Sequence, residues 1–176
     1  MKAVLSLDFK HLCDLLDSQG HKNLVPTARE WGQLVELVEI LEPFAEATSL
    51  TESDQTVTLS YALPSILSLM DYLEELMPRL KYCSPICKSL VESIQSRFEG
   101  LLKRVVTDAP VSKSLPFGSD VYVIAAFFDP KFKLQWIDNS AAVSDTAKID
   151  LRKHVTGIQA IHYILHYQHY FTKFAC

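Results

Sequence analysis

Apolar residues recur at spacings of three and four along most of this chain, the beat of helices that bury one face. The clearest run opens after Pro26. Val25-Pro26 turns the chain, because the residue before a proline is pushed out of the helical region. Thr27 and Glu30 then form a T-x-x-E capping box, in which each side chain satisfies the other's orphan backbone N–H. Trp31, Leu34, Val38, Leu41 and Ala45 make a stripe, widened by Leu37, Phe44 and Thr48, with Glu36, Glu39 and Glu42 off it. The pattern predicts a helix over 27–49, kinked near Glu39 to Pro43, since Pro43 removes one helical hydrogen bond. A polar loop over 51–56 separates it from a second helix over 59–80. There Tyr61, Ile66, Leu69, Leu73, Leu76 and Leu80 keep the beat through Pro64, the site of a second expected kink. Val57 to Tyr61 alternates and also admits a short strand. A third helix is predicted over 84–106, with Ser84 as cap, Pro85 in its first turn, and Ile86, Leu90, Val91, Ile94, Phe98, Leu101, Leu102 and Val105 on its apolar stripe.

Beyond it, Thr107 to Ser119 carries Pro110, Pro116 and Gly118 and reads as a linker. Asp120 to Phe128 suits a strand or a buried helix, and periodicity does not separate the two. Asp129-Pro130 turns the chain, and a fourth, more polar helix is predicted from Ser144, its candidate cap, to about Thr156. The patterning therefore predicts an all-α chain, a bundle of long kinked helices. It divides into a helical or loose segment over 1–23, a helical region over 24–156, and a His/Tyr-rich tail over 157–176. With 176 residues, 48% hydrophobic and 22% charged, the chain has the composition of one globular domain and not of disorder.

Three blocks are distinctive together. Tyr122 to Lys133 reads YVIAAFFDPKFK and resembles the A-x-x-L-D-P-R-Y/F-K signature of hAT-type transposases and their domesticated descendants. Leu24 to Trp31 (LVPTAREW), followed by Leu37 to Phe44 (LVEILEPF), and Thr58 to Pro64 (TLSYALP) stand in matching order. Over roughly residues 20 to 155 the chain resembles the region of zinc-finger BED, hAT-derived proteins that precedes their dimerisation segment. The resemblance implies the helical region inserted into an RNase H-like domain. It favours helix for 120–128. It also implies that the DNA-binding finger and two catalytic acids lie before this region and the third acid after it, so that none falls within the chain. The resemblance stops before Ile158 to Cys176 (IQAIHYILHYQHYFTKFAC), where relatives would continue with a polar linker.

Charge narrows the function classes. The net charge is −4 and the pI about 5.8, whereas a dedicated nucleic-acid binder carries a basic face. The densest basic groups, Arg97, Lys103 and Arg104, then Lys131 and Lys133, read as solvated surface. Cys13, Cys83, Cys87 and Cys176 form no C-x-x-C pair, and Pro85 argues against Cys83 and Cys87 sharing a helix face. With no secretory h-region at the start they read as reduced thiols of an intracellular protein, nuclear or cytoplasmic. No apolar run is long enough for a membrane span.

Candidate chemistry is thin. RNase H-type transposition needs three acids around two metal ions. Asp129 lies in the signature, but an Asp before Pro serves a turn by accepting backbone hydrogen bonds, and the resemblance does not make it a catalytic acid. Glu36, Glu39, Glu42, Glu74 and Glu75 read as solvated helix faces. His162, His166 and His169 would share a helix face and could chelate zinc or copper, with Cys176 as a remote ligand; composition bias is the plainer account. Trp31 and Trp136 read as core or interface anchors. No catalytic, cofactor or metal residue is nominated. The expectation is a non-enzymatic, transposase-derived helical piece acting through protein partners or a second copy, with an accessory DNA-binding or regulatory protein as the alternative. The aromatic tail, Tyr163, Ile164, Tyr167, Tyr170, Phe171 and Phe174, carries Lys173 as its one formal charge and is expected to contribute to association.

Overall fold

The computed structural model describes residues 2–52, 58–106, 115–132, 135–141, 143–153 and 156–157. Every regular element among them is helical: α1 (Lys2–Leu5), α2 (Phe9–Ser18), α3 (Ala28–Thr51), α4 (Leu59–Leu76), α5 (Ser84–Arg97), α6 (Glu99–Val106), α7 (Val121–Phe128) and α8 (Gln135–Asn139). A last helical run covers 145–153. The all-α expectation holds, and 121–128 is helix, not strand. No described helix is long and apolar enough to cross a membrane.

The expected capping box starts α3. The Thr27 backbone N–H donates to Glu30 Oε2 at 2.7 Å, and the Glu30 N–H donates to Thr27 Oγ1 at 3.2 Å. The last helix starts as expected too: Ser144 Oγ accepts from the Ala147 N–H at 3.2 Å.

Pro43 lies inside α3, which continues through it. A proline four residues on leaves the Glu39 carbonyl without its helical donor. The Tyr72 hydroxyl of α4 donates to that carbonyl at 3.3 Å. The defect in one helix thus becomes a tie to the next. Pro64 likewise lies inside α4, and Pro78 falls in the short 3₁₀ turn Met77–Arg79 that ends it. The helix stops at Leu76, short of the expected Leu80.

Two corrections concern the third predicted helix. It is broken at Phe98 into α5 and α6. Buried Gly100 sits so close to the next turn that a Cβ there would lie 2.5 Å from the Pro116 carbonyl oxygen. The Phe98 ring packs on Phe117, whose φ of 60° places it in the left-handed region. The break thus follows from close packing against residues 116–118. Second, Ser84 is the first residue of α5, not its cap; Cys83 holds the cap position and makes no side-chain capping bond.

α4 is the centre of the molecule. It packs on α3, α5 and most extensively on α7. Leu63, Ile66, Leu67, Met70, Leu73 and Leu76 are all buried along it, so its covered arc is wider than the single stripe that the spacing implied. From α3 only Ile40 is buried; Leu41, on the predicted stripe, is half-covered and Ala45 is exposed. Ile86, also expected inside, is exposed. Cys83, Cys87, Val91, Ile94, Leu101, Leu102, Val105, Val123, Ala126, Trp136, Ile137, Val143, Ala147 and Leu151 complete the described core.

Candidate functional site

The end of α7 folds back on the start of α4. Asp129 leaves the helix in extended backbone, as its place before Pro130 requires. Its Oδ1 accepts the Lys131 N–H at 2.9 Å, and its carbonyl accepts the Phe132 N–H at 3.1 Å, closing a turn. Its Oδ2 accepts the hydroxyl of buried Ser60 at 2.6 Å. The Ser60 bond first, then the Lys131 amide, hold this carboxyl below the usual aspartate range. Lys131 Nζ lies 4.9 Å above the Tyr61 ring centre and 3.2 Å from the Tyr61 hydroxyl. Phe132 meets the same ring edge-on, with centroids 4.9 Å apart. Two of the three distinctive blocks, TLSY and DPKF, therefore meet as one junction. A groove of about 290 Å³ opens beside it, lined by Pro43, Glu46, Leu50, Tyr61, Ser68 and Lys131 among others.

The junction ties the end of α7 to the start of α4. Its one carboxylate is occupied by a hydroxyl and an amide, and its one lysine lies on aromatic rings. Among the described residues no group of three His, Cys, Asp or Glu side chains is placed to hold a metal ion.

Other singled-out residues separate. Glu36 is not simply solvated. Its carboxylate accepts the backbone N–H groups of Lys81, Tyr82 and Cys83 at 2.8, 2.9 and 2.7 Å. Burial raises its pKa, but these amide bonds outweigh that and leave it below the usual range. Glu36 thus caps, from α3, the orphan amides ahead of α5. Glu39, Glu74 and Glu75 are exposed, Glu75 within 3.9 Å of Arg79, and Glu42 pairs with Lys2 at 2.5 Å.

Lys103 pairs with Glu99 at 2.5 Å. Arg104 pairs with Asp120 at 2.8 Å and donates to the Gly118 carbonyl at 3.1 Å. Arg97 is exposed in the last turn of α5. Trp136 is a core residue whose indole N–H has no hydrogen-bond partner among the described residues, and half-buried Trp31 packs on Phe9 with centroids 5.1 Å apart.

Cys83 stands at the cap of α5, outside the helix, and Cys87 lies one turn inside it. Pro85 falls in the first turn, where its missing N–H costs nothing, and the Cys87 N–H donates to the Cys83 carbonyl at 3.0 Å. Both thiols are buried and free, donating to the Gln33 and Leu73 carbonyls, and burial pushes both pKa values up. Lys133, His162, His166, His169, Cys176 and the rest of the tail lie outside the described residues.

No protein-family model matches this chain, and neither a curated protein nor a solved structure matches it.

Proposed function

We propose that this chain is a non-enzymatic helical association module, a piece of a hAT-type transposase-derived protein of the zinc-finger BED kind. In this reading α3 and α4 are long helices bent at Pro43 and Pro64, from the region that the family inserts into its RNase H-like domain. The meeting of the TLSY and DPKF blocks at Ser60 and Asp129 supports the reading, since the residues that carry the resemblance serve one structural junction.

The observation that carries the association claim is α7. Its eight residues are uncharged and, save the Tyr122 hydroxyl, apolar, yet only Val123 and Ala126 are buried, and Val121 and Phe128 remain 43% and 47% exposed. An apolar helix with one covered face has a second face suited to another chain. The test is sedimentation velocity over a hundred-fold concentration range, with a plasmid-cleavage assay in Mg²⁺ and Mn²⁺ alongside. Concentration-dependent association without cleavage is expected. Metal-dependent cleavage lost on a single Asp or Glu substitution would overturn the non-enzymatic reading.

A further inference from the structure

A trough lies between the second half of α3, the first half of α4 and the second half of α5. There a groove of about 490 Å³ runs along all three helices. Phe44 and Ala47 line it from α3, Ala62 and Leu69 from α4, and Ser93 and Arg97 from α5.

The spacing defines the shape. The lining spans 44–51, 62–69 and 90–98, about two helical turns or 10 Å on each element. Three such stripes around one trough leave the place of a further helix in a bundle. Alanine and serine along the trough allow a backbone to come close, while Phe44 and Leu69 supply apolar contact. Among the described residues Arg97 is the one charged residue in the lining, and it forms no salt bridge there. It lies in the last turn of α5, so one end of the groove is positive in a chain whose net charge is −4.

We propose that this groove docks an amphipathic helix of a partner protein, with apolar anchors at i, i+3 or i+4, and i+7, and a carboxylate placed against Arg97. Helix-in-groove recognition uses this spacing, and the lone cation fixes the direction of the bound helix. The proposal rests on the association reading and supplies it with a second surface, distinct from the outer face of α7.

A labelled peptide of about 16 residues, long enough to be partly helical alone, provides the probe. It carries leucines at i, i+4 and i+7 and one glutamate a turn beyond. Fluorescence anisotropy compares it with the glutamine and lysine versions on the full chain. The glutamate peptide is expected to bind about three- to five-fold more tightly than the glutamine one, the size of an exposed ion pair, and the lysine peptide most weakly. Arg97→Glu is expected to reverse that order. Ser93→Trp, at an exposed position, is expected to remove binding of all three peptides while leaving α7-mediated self-association unchanged.

No binding by any peptide would overturn the proposal, as would an order unchanged in Arg97→Glu or binding unaffected by Ser93→Trp. Self-association lost in Ser93→Trp would assign the groove to a second copy and also overturn it. Self-association that persists while every peptide fails would sink the groove but leave the association reading standing. Misfolding would not reverse the peptide order, so the Arg97→Glu result does not depend on the tryptophan variant.

Discussion

The Ser60 hydroxyl donates to Asp129 Oδ2 at 2.6 Å across 69 residues of sequence, joining the first turn of α4 to the end of α7. Ser60 is buried, so removing either partner leaves the other short of a bond.

Ser60→Ala and Asp129→Asn are each expected to lower the Tm, and the double variant is expected to fall short of the sum, because both remove the same bond. The sign of the pH dependence follows from the depressed carboxyl. Its contribution is fully present above the unfolded aspartate value of about 3.9 and fades as pH drops through the lower folded value. The Tm gap between wild type and Asp129→Asn should therefore be constant near neutrality and shrink below about pH 4. A gap that widens on acidification would contradict this.

Glu36 makes a longer-range contribution than its place on a helix face suggests. Glu36→Ala is expected to cost about 1.5–3 kcal/mol in urea unfolding, the range for bonds to a charged group. Amide exchange should speed at Lys81, Tyr82 and Cys83 before anywhere else. An unchanged midpoint with unchanged exchange there would show that the cap is not formed.

Leu73 is fully buried in the last turn of α4, whereas Leu41 is half-covered. Leu73→Asp is expected to unfold the chain, since an unpaired buried carboxylate costs a large part of a total stability of about 5–15 kcal/mol. Leu41→Asp should lower the Tm and still give a helical circular dichroism spectrum. The reverse order would mean that the α3 stripe, not the α4 arc, is the core.

The buried thiols should be chemically quiet. In native protein treated with iodoacetamide, peptide mapping is expected to find Cys13 modified well before Cys83 and Cys87, whose thiols are buried and pushed toward the unreactive protonated form. Equal labelling rates would contradict their placement.

What was legible in the sequence was local. The Thr27/Glu30 box, the Ser144 cap and the Asp129-Pro130 turn each depend on residues within a few positions, and all three formed. What was not legible depends on distant partners. Periodicity runs through Phe98 because the residues that break the helix there, Pro116 to Gly118, come from the far end of the linker expected over 107–119. Glu36 looked solvated because its acceptor role depends on amides 45 to 47 residues away. Spacing points to Leu41, but neighbours on α4 decide which α3 residue faces inward, and that residue is Ile40. Of the candidate junction, the aspartate's half was readable and the serine's half was not.

The most direct test of the central claim is sedimentation equilibrium of the full chain against Val121→Glu, with a chain ending at Gly157 as a third sample. Val121 is 43% exposed on α7, so the substitution should leave the fold intact by circular dichroism. The wild type is expected to show a mass above the monomer that rises with concentration, Val121→Glu to shift toward the monomer, and the truncated chain to change its association. A wild type that stays strictly monomeric at every concentration, with both variants identical to it, would contradict the account.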